Sequence, residues 1–319
     1  MASHRGHPTD PKRIRRRRFI EFPDLMPYDS PIVIKDFSKK YRDLIAVHSL
    51  NLQVDTSEVF AFLGPNGAGK TTTIRTMLNF IRPTSGSISI FGLDSVTDDM
   101  ALKHRIGYLP GDISLYDSMN GNQFLKYLTS LGKKTDWNFV QDLSEKLQAP
   151  LDGKIGRLSK GNKQKIGLIQ AFMHKPDLLI LDEPTSGLDP LMKQVFYDMV
   201  LQMKAIGKTI FISSHDLTEV QKLCDRAAFI REGKLIAIEE IKNSFDMNLR
   251  RYTITFESEP NPYLFTQIEG VTEAISDGNQ ITVTIRGNVR HLIEELSKLA
   301  PTDLYEQETS LEDLFMKYY

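Results

Sequence analysis

The stretch "VFAFLGPNGAGKTT", Val59 to Thr72, decides how the rest of the chain is read. Its first five residues form a short continuous apolar run, the pattern of a buried strand. Beyond it, Ile74, Met77, Leu78 and Ile81 fall at helical spacing. Between strand and helix lies a match to G-x-x-x-x-G-K-[ST], from Gly64 to Thr71. Each part has a physical reason. Gly64, Asn66, Gly67 and Gly69 form a loop whose successive backbone N–H groups turn inward on an anion, with a helix N-terminus behind them. Lys70 brings a mobile positive charge to β- and γ-phosphates. The Thr71 hydroxyl is a hard oxygen ligand suited to Mg²⁺, and Thr72 continues the cradle.

A second apolar run, "LLILDEP", emerges on Asp182 and Glu183. Asp182 is suited to hold Mg²⁺ through water, and Glu183 to polarise a water for attack on a γ-phosphate. Alone, two such carboxylates are as readily surface charges; the phosphate loop upstream weights the catalytic reading.

Outward from these segments the texture is that of a layered α/β protein. "PIVIKDF" and "SLNLQV" before the loop, and "SGSISIFG" after its helix, read as strands. From Asp117 to about Met173 the chain turns helical, with Asn120 and Gln123 placed as a capping pair. A helix is expected around Val195 to Met203, and a buried strand at "KTIFISSH". Leu217, Val220 and Cys224 mark a further helix, and "RAAFIREGKLIAIE" a closing hairpin around Gly233. Strands alternating with helices imply a parallel sheet with helices on both faces. Beyond about Lys242, "YTITFE" and the pair around the Asp277-Gly278 turn are strands. Val289, Leu292, Ile293, Leu296 and Leu299 make an amphipathic helix, and "TSLEDLFMKYY" a capped one.

Bulk properties narrow the classes. The chain has 319 residues, 40% hydrophobic, with formal net charge -1, so it has ample material for a core and gives no global case for nucleic acid. No apolar run reaches the roughly 18 residues of a membrane helix. The single cysteine, Cys224, excludes an internal disulfide framework and falls with the apolar set. The first thirty residues are polar and basic, with Arg13 and Arg15 to Arg18 close together, and read as a flexible arm.

An Asn-Lys-x-Asp base-reading element, which a GTPase needs, is missing; "GNKQK" is not one. Downstream of the phosphate loop the chain carries an ordered series instead: "GYLPGD", "LSKGNKQ", "LLILDEP", "SGLD" and "SSH". With this series, from about Pro31 to Glu240, the chain resembles the ATP-binding-cassette family of ATPases. The resemblance implies a phosphate-loop NTPase cassette of α/β class, residues 31–241, with a helical subdomain at about 117–173 and an antiparallel strand subdomain. An N-terminal arm, 1–30, and a small C-terminal α+β domain, 242–319, flank it.

It also implies roles. "LSKGN" matches the signature that completes the ATP site of a second copy, or of a paralogous cassette, so Ser159 and the Gly161 N–H would contact the partner's γ-phosphate. From the residues alone, Ser159 caps a helix whose free N–H donors carry partial positive charge. Tyr41 matches the aromatic that stacks on adenine, His215 the switch histidine at the γ-phosphate, and Asp189 the interface loop. Two departures stand out: Lys160 and Asn162 replace the usual Gly and Gln of the signature, and Gly111 stands where a glutamine is usual. The sequence leaves open whether Asp112 takes that glutamine's part.

Both departures, and the ending "SLEDLF", resemble the ATPase subunits of ABC-2-type exporters. The expected function is therefore ATP binding and hydrolysis, with Mg²⁺, powering a separate transmembrane permease from the cytoplasmic face of the membrane. The alternative is a soluble cassette acting on ribosomes, DNA or Fe–S assembly, for which the basic arm is the only support.

Overall fold

The computed structural model describes residues 30–131, 135–241 and 249–307. The basic arm and the closing "SLEDLF" helix lie outside the described residues.

An antiparallel sheet comes first, in the order β2-β1-β4-β5: β1 (Ile32–Tyr41), β2 (Leu44–Val54), β4 (Ser85–Ile90) and β5 (Leu93–Asp94). The second sheet has six strands, ordered β10-β9-β3-β8-β7-β6. They are β3 (Val59–Leu63), β6 (Ile106–Leu109), β7 (Leu178–Asp182), β8 (Thr209–Ser214), β9 (Arg226–Arg231) and β10 (Lys234–Glu240). All neighbours in it are parallel except the β9–β10 hairpin. Because side chains alternate across a strand, β3 feeds two cores at once. Val59, Ala61 and Leu63 face one, with α5 (Lys160–Phe172), α6 (Pro190–Ala205) and α7 (Leu217–Leu223). Phe60 and Phe62 face the other, with α1 (Lys70–Met77) and the antiparallel sheet. Burial on both faces is why these strands read as continuous apolar runs.

Beyond α2 (Asp99–Lys103), the helical stretch comprises α3 (Gly121–Ser130), α4 (Trp137–Leu147) and α5. Asn120 and Gln123 form the reciprocal capping box at the start of α3. The last described segment carries an antiparallel sheet ordered β12-β13-β11-β14: β11 (Leu249–Thr255), β12 (Val271–Asp277), β13 (Gln280–Arg286) and β14 (Asp303–Gln307). With α8 (Pro262–Thr266) and α9 (Arg290–Leu299) it builds a core of its own around Ile254, Phe265, Val283 and Leu292.

Several details differ from the sequence reading. Helix α1 ends at Met77, so Ile81 lies outside it; Asn79, in the left-handed region at φ 55°, turns the chain away. Helix α5 begins at Lys160, six residues before the apolar periodicity starts, because Ser159 caps it there. Cys224 is buried as expected, but as the C-cap of α7. "IGYL" is a strand, β6, pairing in parallel with β7; four residues with a glycine among them carry little periodic signal.

Candidate functional site

The site forms where β3, β7 and β8 end side by side. Past β3 the chain enters the phosphate loop, which leads into helix α1 through its N-cap, Gly69, at φ 108°. A side chain there is excluded twice: by that backbone conformation, and because a Cβ would lie 2.7 Å from Ala46 O. The β9–β10 turn supports the loop, with Gly233 N donating to Ala68 O at 3.0 Å. The first N–H groups of α1 have no acceptor within the helix, which suits a helix start to an anion.

Lys70, nearly buried, donates to Gly64 O at 2.5 Å and lies 3.2 Å from Glu183 Oε1. Thr71 Oγ1 donates to Asp182 Oδ2 at 2.8 Å, and Ser213 Oγ donates to the other oxygen, Asp182 Oδ1. Glu183 follows at φ 50°, a left-handed conformation uncommon for glutamate. The strained turn is held on both sides. Its N–H donates to Ser213 O at 3.2 Å and Ser213 Oγ at 3.1 Å, and Gln164 Nε2 donates to Pro184 O at 2.7 Å. Glu183 Oε2 meets His215 Nδ1 at 2.6 Å.

Two adjoining clefts open over these groups. One is lined by Tyr41, Asn66, Gly67, Gly69, Lys70, Thr71 and Thr72, with Glu183 at its border and the Gly233 turn as a wall. The other is lined by Thr71, Arg75, Tyr108, Gly111, Asp112, Asp182, Glu183, Ser186 and His215. Gly111 packs against Asp182, such that a Cβ there would lie 3.2 Å from Asp182 Oδ2. A longer side chain at 111 would therefore crowd the carboxylate. Burial and the Asp182 charge push the Tyr108 hydroxyl up to about 12, so it stays a neutral donor.

Ser159 and Gly161 line neither cleft. Ser159 Oγ accepts from Asn162 N at 3.3 Å, which is the cap read from sequence, and the residue is exposed. Gly161 sits against the segment after Glu183, where a Cβ would lie 2.6 Å from Gly187 O, and Lys160 Nζ reaches Ser186 Oγ at 3.2 Å. Asp189 caps α6 through Met192 N. The residues that sequence reasoning missed are Ser213 and Gln164. Both are buried polar residues whose partners lie in distant segments, so no local signal in the sequence marks them.

Oxygen donors from Thr71 and Asp182 converge as a hard divalent cation requires, so the donor set fits Mg²⁺. Among the described residues no helix is long and apolar enough to cross a membrane.

Comparison with known proteins adds to this geometry. Residues 47–186 match the model described as "ABC transporter", and residues 237–319 that of "ATP-binding protein DrrA1-3-like, C-terminal domain". The ABC transporter ATP-binding protein NatA of Bacillus subtilis is 35% identical over 233 residues, covering 68% of this chain and 95% of NatA. Nod factor export ATP-binding protein I of Burkholderia orbicola is 35% identical, covering 65% and 70%. A solved ATP-binding subunit of an ABC transporter superposes with TM-score 0.62 at 28% identity, covering 67% of this chain and 91% of that one.

Proposed function

The chain belongs to the ABC transporter family as an ATP-binding and ATP-hydrolysing subunit, and on that premise we propose how its residues divide the work. ATP lies in the joined clefts with its adenine against Tyr41. The loop N–H groups of Asn66, Gly67 and Gly69 to Thr72 cradle its phosphates. Lys70 turns from the Gly64 carbonyl onto the β- and γ-phosphates. Thr71 and Asp182 hold Mg²⁺, which supplies charge neutralisation at the phosphate oxygens. Glu183 accepts a proton from water as the water oxygen bonds to the γ-phosphorus and the bond to the β–γ bridging oxygen breaks, giving ADP and phosphate. His215 orients the γ-phosphate and the Glu183 carboxylate together.

A second copy, or a paralogous cassette, closes head to tail. It presents the Ser159 hydroxyl and the Gly161 N–H to the γ-phosphate. Residues 31–241 act as the cassette and 242–319 as an accessory unit. Dimer closure and reopening drive a separate permease from the cytoplasmic face of the membrane. The matched C-terminal model and the Nod factor export relative favour export over a ribosomal, DNA or Fe–S role.

The observation that carries this reading is the meeting of Glu183 with both Lys70, at 3.2 Å, and His215, at 2.6 Å, beside the Thr71–Asp182 pair. Glu183→Gln tests it. The amide cannot take a proton from water, so turnover should fall by about 10² or more while ATP binding persists. ATP should then trap a dimer visible by gel filtration. Near wild-type turnover removes Glu183 from the mechanism.

A further inference from the structure

Behind the nucleotide clefts lies a carboxyl that the chemistry above does not use. Glu219 stands in α7 and is 1% exposed. Its Oε2 accepts from Ser214 Oγ at 2.6 Å, and Ser214 Oγ itself accepts from Asp216 N at 3.0 Å. These two contacts bracket His215 in the chain. The Thr185 hydroxyl, two residues after Glu183, lies beside the same carboxyl and favours its charged form. Glu219 Oε1 has no close hydrogen-bond partner among the described residues. One buried group thus bonds to the end of β8 and lies near the segment that follows Glu183. His215 is 61% exposed at its side chain, so packing around the ring does not fix it; its placement comes from the backbone on either side.

We infer that Glu219 is a positioning residue for hydrolysis: its ionised carboxylate ties the Ser214–Asp216 turn to the Glu183–Thr185 turn and so sets His215 against Glu183. The inference rests on the roles proposed above for Glu183 and His215.

The surroundings make the tie dependent on a proton. Burial pushes the Glu219 carboxyl up to about 7, against the Ser214 hydrogen bond, with Asp216 raising it and Lys193 lowering it. Asp216 caps α7 and is paired with Lys193 of α6 at 3.3 Å. Tyr197 of α6 and Cys224 at the end of α7 also face it, and burial raises both, so they stay neutral around pH 7. Glu219 is therefore the group of this cluster that changes charge near neutrality. A protonated Glu219 is a weaker acceptor for Ser214.

The test measures kcat and KM for MgATP on the full chain between about pH 6 and about pH 8.5, comparing wild type, Glu219→Gln and Glu219→Ala. Wild-type kcat should climb through about pH 7. Glu219→Gln keeps an acceptor and has no proton to lose, so its profile should be flatter and its relative activity higher at the acid end. Glu219→Ala should lose about tenfold in kcat throughout, with KM nearly unchanged, since the phosphate loop is untouched. If the alanine protein does not fold, Ser214→Ala cuts the same tie and should give the same split. Superimposable profiles for wild type and Glu219→Gln overturn the inference, as does full kcat in the alanine variants. Glu183→Gln and His215→Ala run alongside: turnover in those controls defeats the reading of the site itself, whereas dead controls beside unaffected Glu219 variants defeat this inference alone.

Discussion

Ser213→Ala removes a single hydroxyl from the floor of the site and should be felt in both stability and turnover. The hydroxyl is fully buried and serves two neighbours: it donates to Asp182 Oδ1 and accepts from Glu183 N at 3.1 Å. The first bond is to a carboxylate that is itself 1% exposed, so its loss leaves Oδ1 without that donor while Thr71 still serves Oδ2. Hydrogen bonds to charged groups are worth about 1.5–3 kcal/mol. The second loss is smaller, because Glu183 N keeps the Ser213 carbonyl at 3.2 Å. Together they give a cost of about 2–3 kcal/mol, or roughly 4–12 °C in melting temperature for a unit of this size. Asp182 and the strained Glu183 turn each lose an anchor, so kcat should drop about tenfold, while ATP affinity, set largely by the loop and Lys70, changes little. Calorimetry and steady-state ATPase assays on one preparation read both effects. A variant that melts with wild type and turns over normally would show that Ser213 does not hold Asp182.

Two further predictions concern charge. Aspartate caps a helix about as well as serine, so Ser159→Asp should keep thermal stability within about 0.5 kcal/mol. Yet it sets a carboxylate where the proposed partner's phosphate would bind, and ATPase activity should vanish; normal turnover would leave Ser159 a cap and nothing more. Glu219 makes the second prediction. Its folded pKa, about 7, lies above the ordinary 4.5, so the folded state keeps a proton that the unfolded chain releases. The resulting stabilisation is complete below about 4.5 and is lost as pH rises through about 7, a swing on the order of 3 kcal/mol. Denaturant titrations of wild type and Glu219→Gln should diverge over that window, with the glutamine variant gaining relative stability as pH rises. Parallel curves would mean that Glu219 is not held in its protonated form.

How much of the molecule is legible in its sequence depends on how local each feature is. The phosphate loop occupies one strand, one turn and one helix start, so spacing and residue type sufficed. The Asn120–Gln123 box and the Ser159 cap are likewise three-residue relations. The strand β6 was missed because pairing with β7, not its own periodicity, makes it a strand. Gln164 stands five residues after Ser159, within the same signature segment, yet nothing nearby in sequence tells that it reaches Pro184. Ser213 and Glu219 are of the same kind: buried polar groups whose partners come from other strands and helices. The left-handed backbone at Glu183 was equally invisible, since the residue type argues against it.

If each ATP site is built from two chains, as proposed, two inactive variants should complement each other on mixing. Lys70→Ala disables a chain's own phosphate loop; Ser159→Arg disables the signature it offers to a partner. Each alone gives dimers in which both sites carry a defect, so each should be nearly inactive. Mixed, they form a heterodimer with one intact site, made from the loop of the Ser159→Arg chain and the signature of the Lys70→Ala chain. ATPase activity should reappear on mixing, with tagged chains confirming exchange and a linked dimer with one damaged site confirming that a single site turns over. An inactive mixture, with heterodimers present and the linked control active, would show that Ser159 serves no partner's nucleotide and would confine it to its own helix.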